Sequence, residues 1–259
     1  MPRTRTAPAP WSPRFGDGPR FASLAPALAR VAHFEAFPPV DALDDALGEL
    51  LPRRDGGERY RLVAQRPSPR RGRGADVDAL YDVVIDARGE IPTRPGDWHD
   101  LLNALVWASF PRAKSRLSAR QHRLHRARAA ERGPDARTLP GARTRAQDAL
   151  ALLDEGGALV LCARARLAAL EEALAASDLG ALDEAEARGE AQVLLFGHAL
   201  FEHLVHGLAA RASPHLLAVE DVPRSLDAAR EAADVALAAR LDDDADIAAP
   251  GRLCAIKIA

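Results

Sequence analysis

The sequence predicts one mixed α/β (or α+β) domain, on three observations. Apolar residues recur at helical spacing in several stretches, among them Leu24, Leu28 and Val31, and then Leu43, Leu47 and Leu50. Short apolar runs flanked by glycine and proline, such as residues 81–86 and 191–196, have the length and composition of strands. With 259 residues, 47% hydrophobic and 28% charged, the chain can bury one sizeable core, and it matches neither disordered nor membrane composition.

Taken in order, residues 1–20 alternate Pro, Arg, Thr and Ala, which predicts a flexible segment without the apolar stretch of a secretory signal. Residues 21–259 form the single domain. Residues 21–37 and 40–51 read as short helices separated by Pro38-Pro39, residues 60–64 as a strand, and residues 67–74, with R-R-G-R-G, as a loop. Residues 81–86, Y-D-V-V-I-D, read as a strand that turns through Gly89 into Ile91, after which Pro92 and Pro95 keep the chain extended. Asp97 is a natural N-cap for a helix from Trp98 to Phe110, stopped by Pro111, and this helix is expected at the centre of the fold. Its wheel puts Trp98, Leu101, Leu102, Leu105 and Val106 on one face. His99, Asp100 and Asn103 fall on the other side with Trp107 and Phe110. A helix apolar around most of its circumference is buried, so these three polar residues need partners inside the protein.

Residues 114–132 carry arginine after arginine with few large apolar residues, which predicts a solvated helix or an extended arm, and residues 138–144 read as a loop. Residues 148–153, D-E-G-G and residues 158–163 read as a β-hairpin, with a helix as the alternative for D-A-L-A-L-L. Residues 166–175 and part of 178–190 are helical, and residues 191–196 form a strand that runs through Gly197 into a helix over 198–210. A short apolar run at 216–219, an amphipathic helix over 223–241 and an apolar end at 253–258 complete the chain. No fixed-period repeat is evident.

The segment W-H-D-L-L-N-A-L-V-W-A-S-F-P-R-A-K at Trp98 to Lys114 resembles the bacterial family described as domain of unknown function 3025. The likeness continues in G-E-I-P-T-R from Gly89, D-A-L-A-L-L-D-E-G-G from Asp148 and F-G-H-A-L-F-E from Phe196. The resemblance implies an intact fold over most of the chain and brings no activity, substrate or cofactor with it.

The charges are uneven. Residues 112–145 hold only Glu131 and Asp135 as acids, while the chain from Asp154 onward is acid-rich, ending in Asp242, Asp243, Asp244 and Asp246. This fits either an acidic partner such as nucleic acid or mutual neutralisation of the two halves. Lysine occurs only at Lys114 and Lys257 and asparagine only at Asn103, a bias that matches a GC-rich genome and weakens any argument from arginine abundance. Cys162 and Cys254 sit in separate apolar runs and read as buried free thiols. No apolar run is long enough to span a membrane, so a cytoplasmic protein is expected.

Two polar groupings could carry chemistry. His198, Glu202 and His206 stand at i, i+4 and i+8 and project from one side of a helix, where they could hold a divalent metal ion or pair a base with its orienting carboxylate. A half-exposed face with a simple Glu–His pair is the alternative. His99, Asp100 and Asn103 are either a core network or part of an active site, and Asp148, Asp154 and Glu155 are either paired carboxylates or turn chemistry. Nucleotide, zinc-thiolate and serine-hydrolase motifs are not found in a usable context. The enzyme expectation is metal-assisted or acid/base hydrolysis with His99, Asp100, Asn103 and Asp148 catalytic and His198, Glu202 and His206 as ligands. The alternatives are a binding protein whose Arg112 to Arg132 face meets nucleic acid or an acidic protein, and a scaffold without chemistry.

Overall fold

The computed structural model describes residues 9–65, 76–133, 136–139 and 141–251; the expected loop at 67–74, Cys254 and the apolar end at 253–258 lie outside the described residues. A 3-10 turn leads into α1 (Ala25–Val31), followed by α2 (Val40–Leu47), β1 (Arg61–Ala64), α3 (Tyr81–Arg88), β2 (Glu90–Thr93), α4 (Trp98–Ser109), α5 (Pro111–Ala130) and α6 (Arg145–Gly156). Then come β3 (Gly157–Ala163), α7 (Leu167–Ala176), α8 (Leu179–Ala187), β4 (Ala191–Leu195), α9 (His198–Val205), β5 (Ser213–Val219) and α10 (Leu226–Asp242). Among the described residues the strands form two small sheets: β1 pairs in parallel with β2, and β3 lies between antiparallel β4 and parallel β5. The mixed α/β class follows directly from this arrangement.

Helix α4 is central, as expected, and of its residues only His99 and Asp100 escape full burial. Its first turn is held by Asp97, whose carboxylate accepts from the Asp100 N–H at 3.1 Å. Trp98 donates from Nε1 to the Ala9 carbonyl and stacks on Trp11 with ring centroids 5.6 Å apart. Each leucine that α4 buries contributes roughly 2 kcal/mol. That gain roots the polar pair His99 and Asp100 on a rigid support.

Three expectations are corrected. Residues 81–86 belong to α3 and not to a strand. Parallel neighbours such as β1 and β2 need a crossover, and α3 lies on that connection; Gly89, at φ 67°, closes it by donating to the Ile85 carbonyl. Residues 148–153 lie in α6, so no hairpin forms with 158–163. Thr144 caps the Gln147 N–H while Gln147 reaches back to the Thr144 N–H, and this reciprocal box starts a helix that continues through D-E-G straight into β3. Thr144→Ala is expected to lower stability by about 1 kcal/mol in urea unfolding; an unchanged midpoint would mean that packing alone sets the helix start.

The third correction concerns α5, which is neither an extended arm nor a freely solvated helix. Ala113, Leu117 and Ala129 are buried, as are Lys114 and Arg120, and the helix lies along α10. Arg116 meets Asp242 at 3.5 Å and Arg123 meets Asp244 at 3.1 Å, while Arg120 donates to the Asp244 and Asp246 carbonyls. The basic and acidic halves neutralise one another inside this fold. Cys162 is buried and free, as its apolar surroundings predict.

Candidate active site

Helix α9 begins at a forced close approach. A Cβ placed at Gly197 would stand 2.5 Å from the Glu155 carbonyl oxygen and from the Gly156 nitrogen, so only glycine lets the strand exit of β4 press against the end of α6. The next residue, His198, is thereby delivered to α6, where its Nδ1 lies 2.7 Å from the Asp154 carbonyl oxygen. Its Nε2 faces His99 Nε2 on α4 at 2.9 Å, with the two rings edge-on at 78°. One turn further along α9, Glu202 Oε2 meets His99 Nδ1 at 2.9 Å.

The hydrogen atoms of this chain follow from its partners. A carbonyl oxygen and an ionised carboxylate only accept, so His198 Nδ1 and His99 Nδ1 both carry protons. The Nε2–Nε2 contact then needs one further proton between two nitrogens whose rings are already protonated once. The pair is therefore a monocation, with the order Glu202 carboxylate, His99, His198, Asp154 carbonyl. The charge sits on His99. Its bond to Glu202 outweighs burial and raises it above the ordinary histidine value, whereas burial, with Lys114 and His99 adding to it against Asp154, lowers His198 from 6.5 to about 4. His99, with 35% of its side chain exposed against 5% for His198, is the member that reaches solvent.

A second polar set lies beside the pair. Lys114 on α5 is wholly buried; its Nζ donates to Asn103 Oδ1 at 2.8 Å, makes a short ion pair with Asp154, and lies 5.4 Å from the Trp107 ring centre. Burial opposes the charge on Asp154, but Lys114, His198 and His99 outweigh it and hold the carboxyl below the usual range. Asn103 Nδ2 donates to the Tyr81 hydroxyl at 2.7 Å. Arg94 grips Asp100 with both Nε and Nη2 at 2.8 Å. Tyr81, Arg94, His99, Asn103, Asp154 and His198 all line one cleft of about 1230 Å³ between the β1–β2 unit with α3 and the α4–α5–α6 group.

The structure thus unites His99, Asn103, His198 and Glu202. It places Asp100 in the cleft wall but commits it to Arg94, and it leaves Asp148 exposed in the first turn of α6, away from the cleft. His206 caps the end of α9, where its charge helps to lower Glu202 after the larger influence of the His99 bond. Among the described residues no three of His, Cys, Asp and Glu form a set that could hold a metal ion. Glu202 and His198 approach His99 on opposite ring nitrogens, so they share no point with it. Lys114 and Tyr81 are the additions, while Asp154, read from the sequence as a paired carboxylate or a turn residue, enters as the ion-pair partner of Lys114. Rarity is the one signal that could have found the two additions, since the chain has two tyrosines and uses arginine almost everywhere a base is needed.

The two shifted histidines make opposite demands on pH. His99, raised in the folded state, contributes stability that is complete below about 6.5 and is lost as pH rises through its folded value. His198 does the reverse: the unfolded chain takes up its proton below 6.5 while the folded one refuses it down to about 4. Each pH unit in that window therefore costs about 1.4 kcal/mol through His198. Imidazole carbon NMR, assigned with His99→Asn and His198→Asn, is expected to show one ring titrating above 6.5 and the other near 4. Two rings that both titrate at 6.5 would mean that the pair does not share a proton.

A family model described as protein of unknown function (DUF3025) matches residues 70–258, a span that contains every residue of this cluster. No curated protein and no solved structure matches the chain.

Proposed function

As this chain belongs to the DUF3025 family, whose description carries no activity, we propose from the site's own chemistry that the protein is a hydrolase working by acid/base catalysis in the His99 cleft. The observation that supports this reading is the 2.9 Å Nε2–Nε2 contact, which demands one mobile proton at the wall of an open cleft. Loss of that proton leaves two lone pairs facing each other, so the rings part and His99 Nε2 turns toward the cleft as a base. A water molecule gives it a proton while its oxygen bonds to the substrate's carbonyl carbon. The protonated His99 then hands that proton to the leaving oxygen or nitrogen as the carbon–heteroatom bond breaks. Glu202 holds the ring and supports its positive charge, in the manner of the carboxylate in a catalytic triad. His198 positions His99 and is too buried to meet substrate.

Metal assistance is the weaker form of the reading, because the candidate ligands do not converge on one point. Docking of nucleic acid or an acidic protein on the Arg112 to Arg132 face is weakened by the pairing of Arg116, Arg120 and Arg123 with the acidic end of the chain. The test is turnover of a panel of small uncharged esters and anilides by the purified protein, with His99→Asn as control. Turnover lost in the variant supports the reading, and turnover equal in both proteins, or in neither, ends it.

A further inference from the structure

The polar set beside the histidine pair has a direction. Lys114 Nζ is a donor without lone pairs, so Asn103 must present Oδ1 to it, as the 2.8 Å bond has it. The side-chain amide cannot flip without setting its NH2 against an ammonium. Nδ2 is thereby committed to the other side, where it donates to the Tyr81 oxygen at 2.7 Å. Because the tyrosine oxygen accepts there, its own proton must point elsewhere, and among the described residues no acceptor meets it. Tyr81 lines the cleft that holds His99 and His198.

We infer that the Tyr81 hydroxyl is the hydrogen-bond donor that receives the substrate's carbonyl oxygen, and that the substrate is an uncharged ester or amide. The inference rests on the acid/base reading for the reaction that follows binding. A donor aimed at the carbonyl oxygen gains strength as that oxygen becomes negative during attack, which is where such a contact serves catalysis. The substrate is uncharged because the cleft offers no surplus of positive charge: of its seven acids Asp78, Glu90, Asp100 and Asp154 are paired to Arg126, Arg61, Arg94 and Lys114, and Asp76, Asp82 and Glu155 stand against Arg88 and Arg143. A carboxylate or phosphate would find no cation there that is not already matched by an acid. Burial, followed by the charges of Asp154, Asp100 and Asp82, pushes the Tyr81 hydroxyl well above its usual value, so it keeps the proton it has to donate.

The chain has two tyrosines, so ring-carbon NMR of 13C-tyrosine protein gives two signals, and Tyr60→Phe assigns them. Titration with N-methylacetamide is expected to move the Tyr81 signal saturably, and titration with inorganic phosphate is not. Tyr81→Phe should weaken N-methylacetamide binding about tenfold, read by ligand-observed NMR. Asn103→Asp is the sharper variant. It keeps the side chain's shape but lets a carboxylate accept from both Lys114 and Tyr81, turning the tyrosine proton inward, so binding should fall by a similar factor. A merely structural Asn103 would tolerate that exchange without loss of binding, and that result would overturn the inference. So would a Tyr81 signal that no amide moves, or one that phosphate moves equally. His99→Asn should keep the N-methylacetamide response while losing turnover, so absent turnover with an intact Tyr81 response removes the hydrolase reading alone.

Discussion

Lys114→Met should destabilise the folded protein by about 3 kcal/mol, the largest loss we expect from any single substitution in the site. Methionine fills much of the aliphatic space of lysine, so the cost arises from what remains behind. Asp154, with 19% of its side chain exposed, loses its cation, and Asn103 Oδ1 loses its donor. That residual exposure places the loss at the low end of the roughly 3–5 kcal/mol seen when one partner of a buried pair is removed. The double variant Lys114→Met with Asp154→Leu removes both charges and should regain most of the loss, since the His198 bond uses the Asp154 backbone and survives. Urea unfolding of the four proteins of this cycle measures the effect. A single variant that loses less than about 1 kcal/mol, or a double variant no better than the single, would mean that Lys114 is not the cation on which Asp154 depends.

The largest effect on turnover is expected at His99. On any ester or anilide that the protein hydrolyses, His99→Asn should lower kcat/KM by about 10²- to 10⁴-fold, the span of a lost general base. The wild-type rate should climb with pH through a midpoint above 6.5, because the base form appears as the raised His99 gives up its proton. Glu202→Gln removes the largest cause of that rise, so the midpoint should move down toward 6.5 and the plateau should fall less than in His99→Asn. A midpoint indifferent to Glu202 would assign the titration to another group. His198→Asn separates positioning from chemistry: it should lower the plateau without moving the proton-transferring group.

Much of the fold was legible because its signals are local. Asp97, the apolar face of Trp98 to Val106 and Pro111 together marked α4, and Pro38-Pro39, Gly89 and Gly197 marked element ends. The misread stretches are those where a neighbour decided. Y-D-V-V-I-D is β-branched enough for a strand, yet packing on α5 and the crossover between β1 and β2 made it helix. The arginine-rich stretch looked too polar for burial because its acids come from the far end of the chain, 121 residues beyond Arg123 in the case of Asp244. Lys114 was hidden there as one base among many, although it is one of only two lysines.

The site divides in the same way. The i, i+4 step from His198 to Glu202 and the place of His99 on a buried helix are properties of the sequence alone, since helical geometry puts such residues on known faces. Residues adjacent on the wheel nonetheless took unrelated roles: His99 entered the proton pair, Asp100 was claimed by Arg94, and His206 fell beyond the end of α9. The sequence by itself determined a mixed α/β domain with a largely apolar, histidine-bearing helix at its centre. Only the tertiary structure decided that His99 and His198, 99 residues apart, stand 2.9 Å from each other with both outer nitrogens already engaged. Periodicity and capping are settled within a turn or two of chain, whereas the sharing of a proton depends on distance and burial that arise when α4, α6 and α9 meet.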